Sequence, residues 1–374
     1  MLCLGIETSC DETALALVRD GRLIDQCLHS QEQVHALFGG VVPELASRRH
    51  LTALPVLLER LLRRTGTRLQ DVQVVAAARG PGLLGSLLVG LGMAKGLSLS
   101  LDIPLIGVNH LHAHLLAAGL EREIPFPALG LLVSGGHTQL YRIESPFRFA
   151  LLGRTLDDAA GEALDKTASM LNMPYPGGRH IDALAKLAEP DPSLFPRPYL
   201  DNRNLDFSFS GLKTAFSLYL ANHPELRLLR VPLQQSTLRL EKWGTANPKL
   251  CTVCASLNWS IAETLRVKVD RAITNGHGYR AVIVAGGVAA NSMLRSLLAE
   301  TAQAHNLTLI LPSLGLCTDN AAMIAYAGWL LARDGWHHEL TLEAFPRGKP
   351  IPWDYVRFPG APQPSHLDTC CPPN

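Results

Sequence analysis

The sequence predicts an α/β protein of two lobes built on one plan. Its 374 residues are more than twice the ~150 of a typical domain. A pattern of strand, small polar turn and strand opens the chain and returns in the second half, from Leu129 to Ile143. A strand–helix–strand unit follows the first copy, as expected of α/β architecture.

The elements justify this in order. Leu2 to Ile6, Ala14 to Val18 and Leu23 to Leu28 are short apolar runs separated by Glu7-Thr-Ser-Cys-Asp-Glu-Thr13 and Asp20-Gly21, which reads as a strand meander. Val72 to Ala78 is a strand, Arg79-Gly-Pro-Gly82 a turn, and Ser86 to Ser98 a helix whose Gly90, Gly92 and Gly96 let another backbone approach. Leu105 to Val108 completes the unit. In the second half, the polar turn Ser134 to Thr138 joins two strands, and its small residues and hydroxyls suit a phosphate approaching backbone N–H groups. Thr155 with Asp158 reads as a capping box opening a helix that carries Asp158, Glu162 and Asp165 on one face, either wet or lining a cleft. Tyr175-Pro-Gly-Gly178 turns into a helix at His180 to Ala188, and Phe207 to Thr214 enters another. Arg280 to Arg295 reads as buried strand, Gly-Gly turn and helix, with Asn291 in the first turn where backbone N–H groups and an amide face a nucleotide. Leu307 to Leu311 is a strand, and Cys317-Thr-Asp-Asn320 opens a helix to Leu331, with Asp319 placed to cap it or to act as an oxygen ligand.

Composition narrows the classes. Hydrophobic residues make up 47% and charged residues 18%, which describes a well-buried globular chain rather than a disordered one. The formal net charge of +1 gives no overall pull toward nucleic acid, so a polyanion would need a local basic patch. Arg60, Arg63, Arg64 and Arg68 offer one such patch, or an ordinary solvated helix face. The N-terminus lacks a basic, apolar and cleavable signal, and the apolar stretch Leu83 to Leu101 reads as a buried helix, so no membrane is expected. Eight Cys without framework spacing suit a reducing compartment, hence a cytoplasmic expectation. Cys251-Thr-Val-Cys254 is a lone pair that reads as packing on a helix.

The most informative chemistry is at His110 and His114. Side chains four apart on a helix lie ~5–6 Å from each other, close enough for two imidazoles to reach one ion at ~2.0–2.1 Å if it is zinc. The spacing alone serves a packed structural pair equally well. The strand Pro104 to Val108 delivers the pair as a strand end delivers a site, and a third ligand must come from elsewhere.

Taken together, the segments Gly5-Ile-Glu-Thr-Ser-Cys-Asp-Glu-Thr13, Gly39 to Arg48, Gly80-Pro-Gly82, the His110/His114 pair, Leu132 to Gln139, Asp157 to Ala168, Tyr175 to Gly178, Phe207 to Thr214, Ala285 to Asn291 and Cys317 to Asn320 resemble one family from about Leu2 to Tyr326. That family is the universal tRNA threonylcarbamoyladenosine transferases of the bacterial TsaD type, once called O-sialoglycoprotein endopeptidases. The resemblance implies the two-lobed actin/Hsp70/sugar-kinase-like (ASKHA) fold, with duplicated mixed-sheet lobes and an interlobe cleft. It implies lobes at 1–125 and 126–345, the last helix at 319–333 able to pack back on the first lobe, and a loosely ordered tail at 346–374. It implies transfer of threonylcarbamoyl from threonylcarbamoyl-AMP to N6 of the adenosine 3′ of the anticodon in tRNA, with a TsaB-type paralogue and a TsaE-type ATPase as partners. Carried onto this chain, one divalent metal ion, iron or zinc, is held by His110, His114 and Asp319. The substrate contacts are Leu132, Val133, Ser134, Gly135, Gly136, Asp165, Gly178, Asp182 and Asn291. His112 faces away and carries no role.

Two departures stand out: a longer connection from about Leu226 to Leu250, and Arg179 where a Pro is more usual. Rival readings are an ATPase or phosphotransferase on the same fold, a non-catalytic scaffold of a tRNA-modification complex, and a metallopeptidase. The last lacks the Glu of a His-Glu-x-x-His base.

Overall fold

The computed structural model describes the chain except residues 36, 37, 39, 229–246, 277 and 359–374. Most of the long 226–250 connection therefore lies outside the described residues. Two compact units divide the chain: Met1–Ile124, Ser145–Arg148 and the chain from Pro312 onward form one, and Pro125–Glu144 with Phe149–Leu311 form the other.

The first unit opens with β1 (Leu2–Glu7), β2 (Glu12–Arg19) and β3 (Arg22–Ser30), followed by the short α1 (Glu32–His35) and α2 (Pro43–Thr65). Then come β4 (Val74–Gly80), α3 (Leu84–Leu101), β5 (Leu105–Asn109) and α4 (His110–Leu116). The sheet runs β3-β2-β1-β4-β5, with β1 antiparallel to β2 and parallel to β4. The second unit holds β6 (Ala128–Val133), β7 (Thr138–Ser145), β8 (Arg148–Arg154), α5 (Ala160–Met170), α6 (Gly178–Ala185), α7 (Ser210–Asn222), α8 (Pro248–Asn275), β9 (Ala281–Ala285), α9 (Ser292–Ala304) and β10 (Thr308–Ile310). Its sheet runs β10-β9-β6-β7-β8, with β6 antiparallel to β7 and parallel to β9. Each sheet is thus an antiparallel meander extended by two parallel strands on the side of its first strand, so the repeated sequence pattern corresponds to a repeated topology. The inner strands β1, β4, β6 and β9 are buried along their whole length, which is why they read as continuous apolar runs rather than alternating ones.

Beyond Pro312 the chain adds α10 (Leu314–Cys317), α11 (Ala321–Arg333), β11 (Trp336–His337) and β12 (Val356–Arg357) to the first unit. The division therefore falls before the expected boundary at 345, on the side of the alternative in which helix 319–333 packs back on the first lobe. The reason is a stripe of small residues. A Cβ on Gly5 of β1 would stand 2.5 Å from the Ala325 nitrogen and 2.6 Å from the Ala321 oxygen, and one on Gly328 would stand 2.3 Å from the Ala76 Cβ. Only glycine at these positions lets α11 lie so close across β1 and β4.

The tail is likewise corrected over its described part. Residues 346–358 are docked: Arg79, fully buried, pairs with Asp354, faces the His338 Nε2 at 3.0 Å and lies over the Phe345 ring, and the Tyr355 hydroxyl donates to the Gly107 oxygen at 2.7 Å. Proline and aromatic content signalled irregular backbone, but these rings and one buried guanidinium hold it in place. The rest of the tail lies outside the described residues.

Helix α3 is the one described helix long and apolar enough to cross a membrane by length and composition. It packs one face on α2 and β4, while Leu88 and Leu99 are 54% and 71% exposed, so it is half-buried rather than buried. Of the three glycines expected to admit another backbone, Gly90 meets a neighbour closely, with a Cβ 2.3 Å from the Thr8 hydroxyl, while Gly92 and Gly96 face open space.

Candidate functional site

The metal candidates assemble where β5 passes directly into α4. Asn109 ends the strand and caps the helix, its side chain accepting from the Leu111 and His112 N–H groups. Both histidines are thereby placed in the first turns of a short buried helix, His110 at 6% exposure and His114 at 2%. The third group comes from far along the chain. Asn320, not Asp319, caps α11, accepting from the Met323 N–H, and this leaves the Asp319 carboxylate to face the imidazoles. Its Oδ1 is 3.0 Å from the His114 Nε2 and 3.5 Å from the His110 Nε2. The donor atoms of the three residues lie within 4.8 Å of one another. Donors at ~2.0–2.1 Å around a tetrahedral ion sit about 3.3 Å apart, so the set fits a divalent cation.

A fourth group stands behind this set. Glu7, at the end of β1 and fully buried, places Oε2 2.9 Å from the His110 Nδ1, and the Ser9 hydroxyl is 3.2 Å from the same nitrogen. Burial works against charge on His110, yet the Glu7 and Asp319 carboxylates outweigh it and hold the ring well above the ordinary imidazole range. Burial also opposes the charge on Asp319, and the two imidazoles hold it well below the usual carboxylate range. His112 behaves differently: burial pushes its pKa down to about 3.

The second unit gathers the other candidates into a chain of contacts. Ser134 folds its hydroxyl under the turn, accepting from the Gly136 and His137 N–H groups. Gly161, near the start of α5, lets the helix approach that turn, since a Cβ there would stand 2.7 Å from the Ser134 oxygen. Four residues on, Asp165 accepts from the Gly177 N–H at 2.7 Å and the Gly178 N–H at 3.3 Å, at the start of α6. Burial raises its pKa, with these two amides working the other way. One turn along α6, Asp182 accepts from the Ser292 N–H and hydroxyl and from the Asn258 amide, and pairs with Lys186 at 2.9 Å. Asn291 caps α9 and donates to the Asn258 oxygen. Beside this network lies a cavity of about 290 Å³ walled by Lys186, Asn258, Trp259, Ser292 and Met293, among others. Leu132 and Val133 are fully buried strand residues, so their side chains face the core and only their backbone is available to a ligand.

Comparison with known proteins decides the family. Residues 22–326 match the family model described as tRNA N6-adenosine threonylcarbamoyltransferase (TsaD). The chain belongs to this family. A tRNA N6-adenosine threonylcarbamoyltransferase of Nitratidesulfovibrio vulgaris (strain DP4) is 61% identical over 96% of this chain and 99% of the relative. One of Maridesulfovibrio salexigens is 56% identical over 95% and 99%. Among solved structures, (R)-2-hydroxyglutaryl-CoA dehydratase component A of Acidaminococcus fermentans aligns with a TM-score of 0.50 over 89% of this chain and 99% of that one, at 14% identity. At that identity the likeness is one of fold. It accords with the actin/Hsp70/sugar-kinase class of α/β fold and its paired mixed sheets.

Several expectations change in this TsaD-family chain. The capping box at Thr155 is not formed: α5 begins at Ala160, and Asp158 precedes it. Asp158 instead holds Lys166 at 2.7 Å and Lys213 at 3.1 Å, and its neighbour Asp157 caps α7. A carboxylate two residues before a helix looks local in sequence, but here the partner helix is some fifty residues away. The arginine-rich face is largely paired, Arg63 with Glu59, Arg64 with Asp25 and Arg68 with Asp71. Cys251 and Cys254 are buried in α8 and burial raises both thiols. Glu7, Ser9, Asn258 and Ser292 had no role assigned from sequence. Glu7 carried the one available signal, an acidic residue ending an otherwise apolar strand.

Proposed function

We propose that this chain transfers the threonylcarbamoyl group of threonylcarbamoyl-AMP to N6 of the adenosine 3′ of the anticodon, in tRNAs reading codons that begin with A. The observation that supports this most directly is the meeting of His110, His114 and Asp319 in a chain of the TsaD family. In the reaction the N6–carbonyl bond forms, the bond from the carbonyl to the AMP phosphate oxygen breaks, and the amine loses a proton. AMP is a good leaving group, so the protein needs no nucleophilic Ser or Cys, and its work is to position the amine and stabilise charge on the acyl centre.

His110 and His114 through Nε2, and Asp319 through Oδ1, would hold one divalent ion, iron or zinc. Such an ion would supply Lewis-acid polarisation of a substrate oxygen, with these three side chains as its protein ligands. Asp319 is free for this because Asn320 takes over the helix cap. In the second unit, the backbone of Leu132, Val133, Ser134, Gly135 and Gly136 would flank the phosphate. Asp165, fixed by the amides of Gly177 and Gly178, and Asp182, fixed by Ser292 and Asn258, would accept hydrogen bonds from ribose hydroxyls, with Asn291 completing the set. A TsaB-type paralogue and a TsaE-type ATPase would be the partners, in the cytoplasm.

The test is to incubate the purified chain with threonylcarbamoyl-AMP, unmodified tRNA and those two partners, then digest the tRNA to nucleosides. Threonylcarbamoyladenosine that depends on this chain supports the reading. Hydrolysis of ATP by this chain alone, with no modified nucleoside from the full mixture, favours the ATPase reading, and tRNA binding without turnover favours a scaffold.

A further inference from the structure

The two imidazoles of the metal set are not equivalent. His110 has a carboxylate behind it, whereas the His114 Nδ1 is buried with no hydrogen-bond partner among the described residues. An ionised carboxylate only accepts hydrogen bonds, so at 2.9 Å from Glu7 the His110 Nδ1 carries the hydrogen. Its Nε2 faces the Asp319 oxygen 3.5 Å away and is the nitrogen left to bind an ion once it gives up any hydrogen of its own.

We propose that Glu7 is the positioning residue that readies this centre: it fixes the tautomer and the angle of His110, and it supplies the second negative charge that balances a divalent ion. With two neutral imidazoles, Asp319 and Glu7, a bound divalent ion leaves the buried cluster neutral overall. That matters where burial makes net charge costly. The carboxylate is well built for this role. It ends the central strand β1, between β2 and β4, and its other oxygen accepts the Ser9 N–H at 2.6 Å. The turn that follows is itself held, because the Leu83 N–H donates to the Ser9 oxygen at 2.8 Å and a Cβ on Gly82 would come within 2.6 Å of that oxygen. The Ser9 hydroxyl, 3.2 Å from the same nitrogen, is neutral, farther away and free to rotate, so the carboxylate sets the tautomer. Carboxylates behind ligating histidines act in this way generally.

The inference rests on the metal-centre reading above, and the experiment separates the two. Full-length wild type, Glu7→Gln, Ser9→Ala and His114→Ala proteins are stripped with chelator and titrated with Zn²⁺ against a chromophoric competitor, and with Co²⁺ for its visible absorption bands. Gln has the shape of Glu, but its amide must either face the His110 nitrogen with N–H groups, forcing the hydrogen onto Nε2, or face the Ser9 N–H with them. Glu7→Gln is expected to weaken Zn²⁺ binding by about 10- to 100-fold and to alter the Co²⁺ bands, while Ser9→Ala weakens it less. In the wild-type protein, ¹⁵N spectra of labelled histidine with Zn²⁺ bound should show His110 protonated at Nδ1, a readout that needs no variant to fold. If wild type takes up neither ion stoichiometrically, the metal centre itself is wrong. Tight wild-type binding matched by Glu7→Gln, or a metal-bound His110 bearing its hydrogen on Nε2, overturns the role of Glu7 alone.

Discussion

Replacing Gly5 by Ala should damage the proposed metal centre without touching any of its ligands. The added Cβ would stand 2.5 Å from the Ala325 nitrogen, 2.6 Å from the Ala321 oxygen and 2.7 Å from the Ala325 Cβ. Ordinary contact begins near 3.5 Å, so relief needs a shift of about 1 Å. No flexible side chain can yield, because two of the three neighbours are backbone and the third is a methyl fixed to it. The strand cannot yield easily either, since Gly5 pairs with Ala16 on one side and Ala76 on the other. The helix must therefore move, and Asp319 lies just before its first residue, Ala321. Overpacking of this kind costs about 1–3 kcal/mol, which for a unit of this size lowers Tm by about 2–4 °C per kcal/mol. Metal ligands tolerate only about 0.2 Å, so metal affinity should fall further than stability does. The assay is elemental analysis after dialysis against a weak chelator, beside the thermal unfolding of metal-free protein. Gly92→Ala, where a Cβ meets nothing within 4 Å, is the control and should leave both unchanged or raise Tm slightly. A Gly5→Ala protein with wild-type Tm and wild-type metal content would refute the argument that this crossing sets the position of Asp319.

Other outcomes follow from particular contacts. His114→Ala should abolish tight metal retention while His112→Ala preserves it, because His114 belongs to the set that meets at Asp319 and His112 does not; equal metal content in the two variants contradicts the ligand set. Asp157→Ala should cost about 1–2 kcal/mol, since that carboxylate caps α7 through the Phe209 and Ser210 N–H groups; chemical denaturation measures it. Burial opposes the charge on Asp157, but donors from Ser208, Phe209 and Ser210 outweigh it and hold its pKa below the ordinary value. Its contribution is therefore present above the unfolded pKa of about 4 and fades as pH falls through the lower folded value, so the wild-type advantage over Asp157→Ala should vanish in acid. Arg79→Ala should cost about 3 kcal/mol, toward the low end for a broken buried pair because the Asp354 side chain keeps 43% of its surface in solvent. Limited proteolysis should then cut between 338 and 358 first, and an uncut tail in that variant argues against Arg79 as its anchor.

The sequence by itself determined what is local or periodic. Apolar runs and polar turns specified two copies of a meander and its parallel extension, because strand burial leaves a mark in every two or three residues. The spacing of His110 and His114 specified a shared helix face, since four residues make about one turn. What the sequence left open was settled by groups that meet across long stretches of chain. Whether Asp319 caps a helix or faces the imidazoles depended on Asn320 taking the cap and on α11 docking across β1 through Gly5 and Gly328. His114 and Asp319 are 205 residues apart, Glu7 and His110 are 103 apart, and Arg79 and Asp354 are 275 apart. Asp158 looked like the opening of its own helix, yet it holds Lys166 and Lys213, and its neighbour Asp157 serves α7. Periodicity reports which face of an element is buried; it carries no information on which distant backbone comes close enough to bury it, and here that approach is what brings the carboxylate to the histidines.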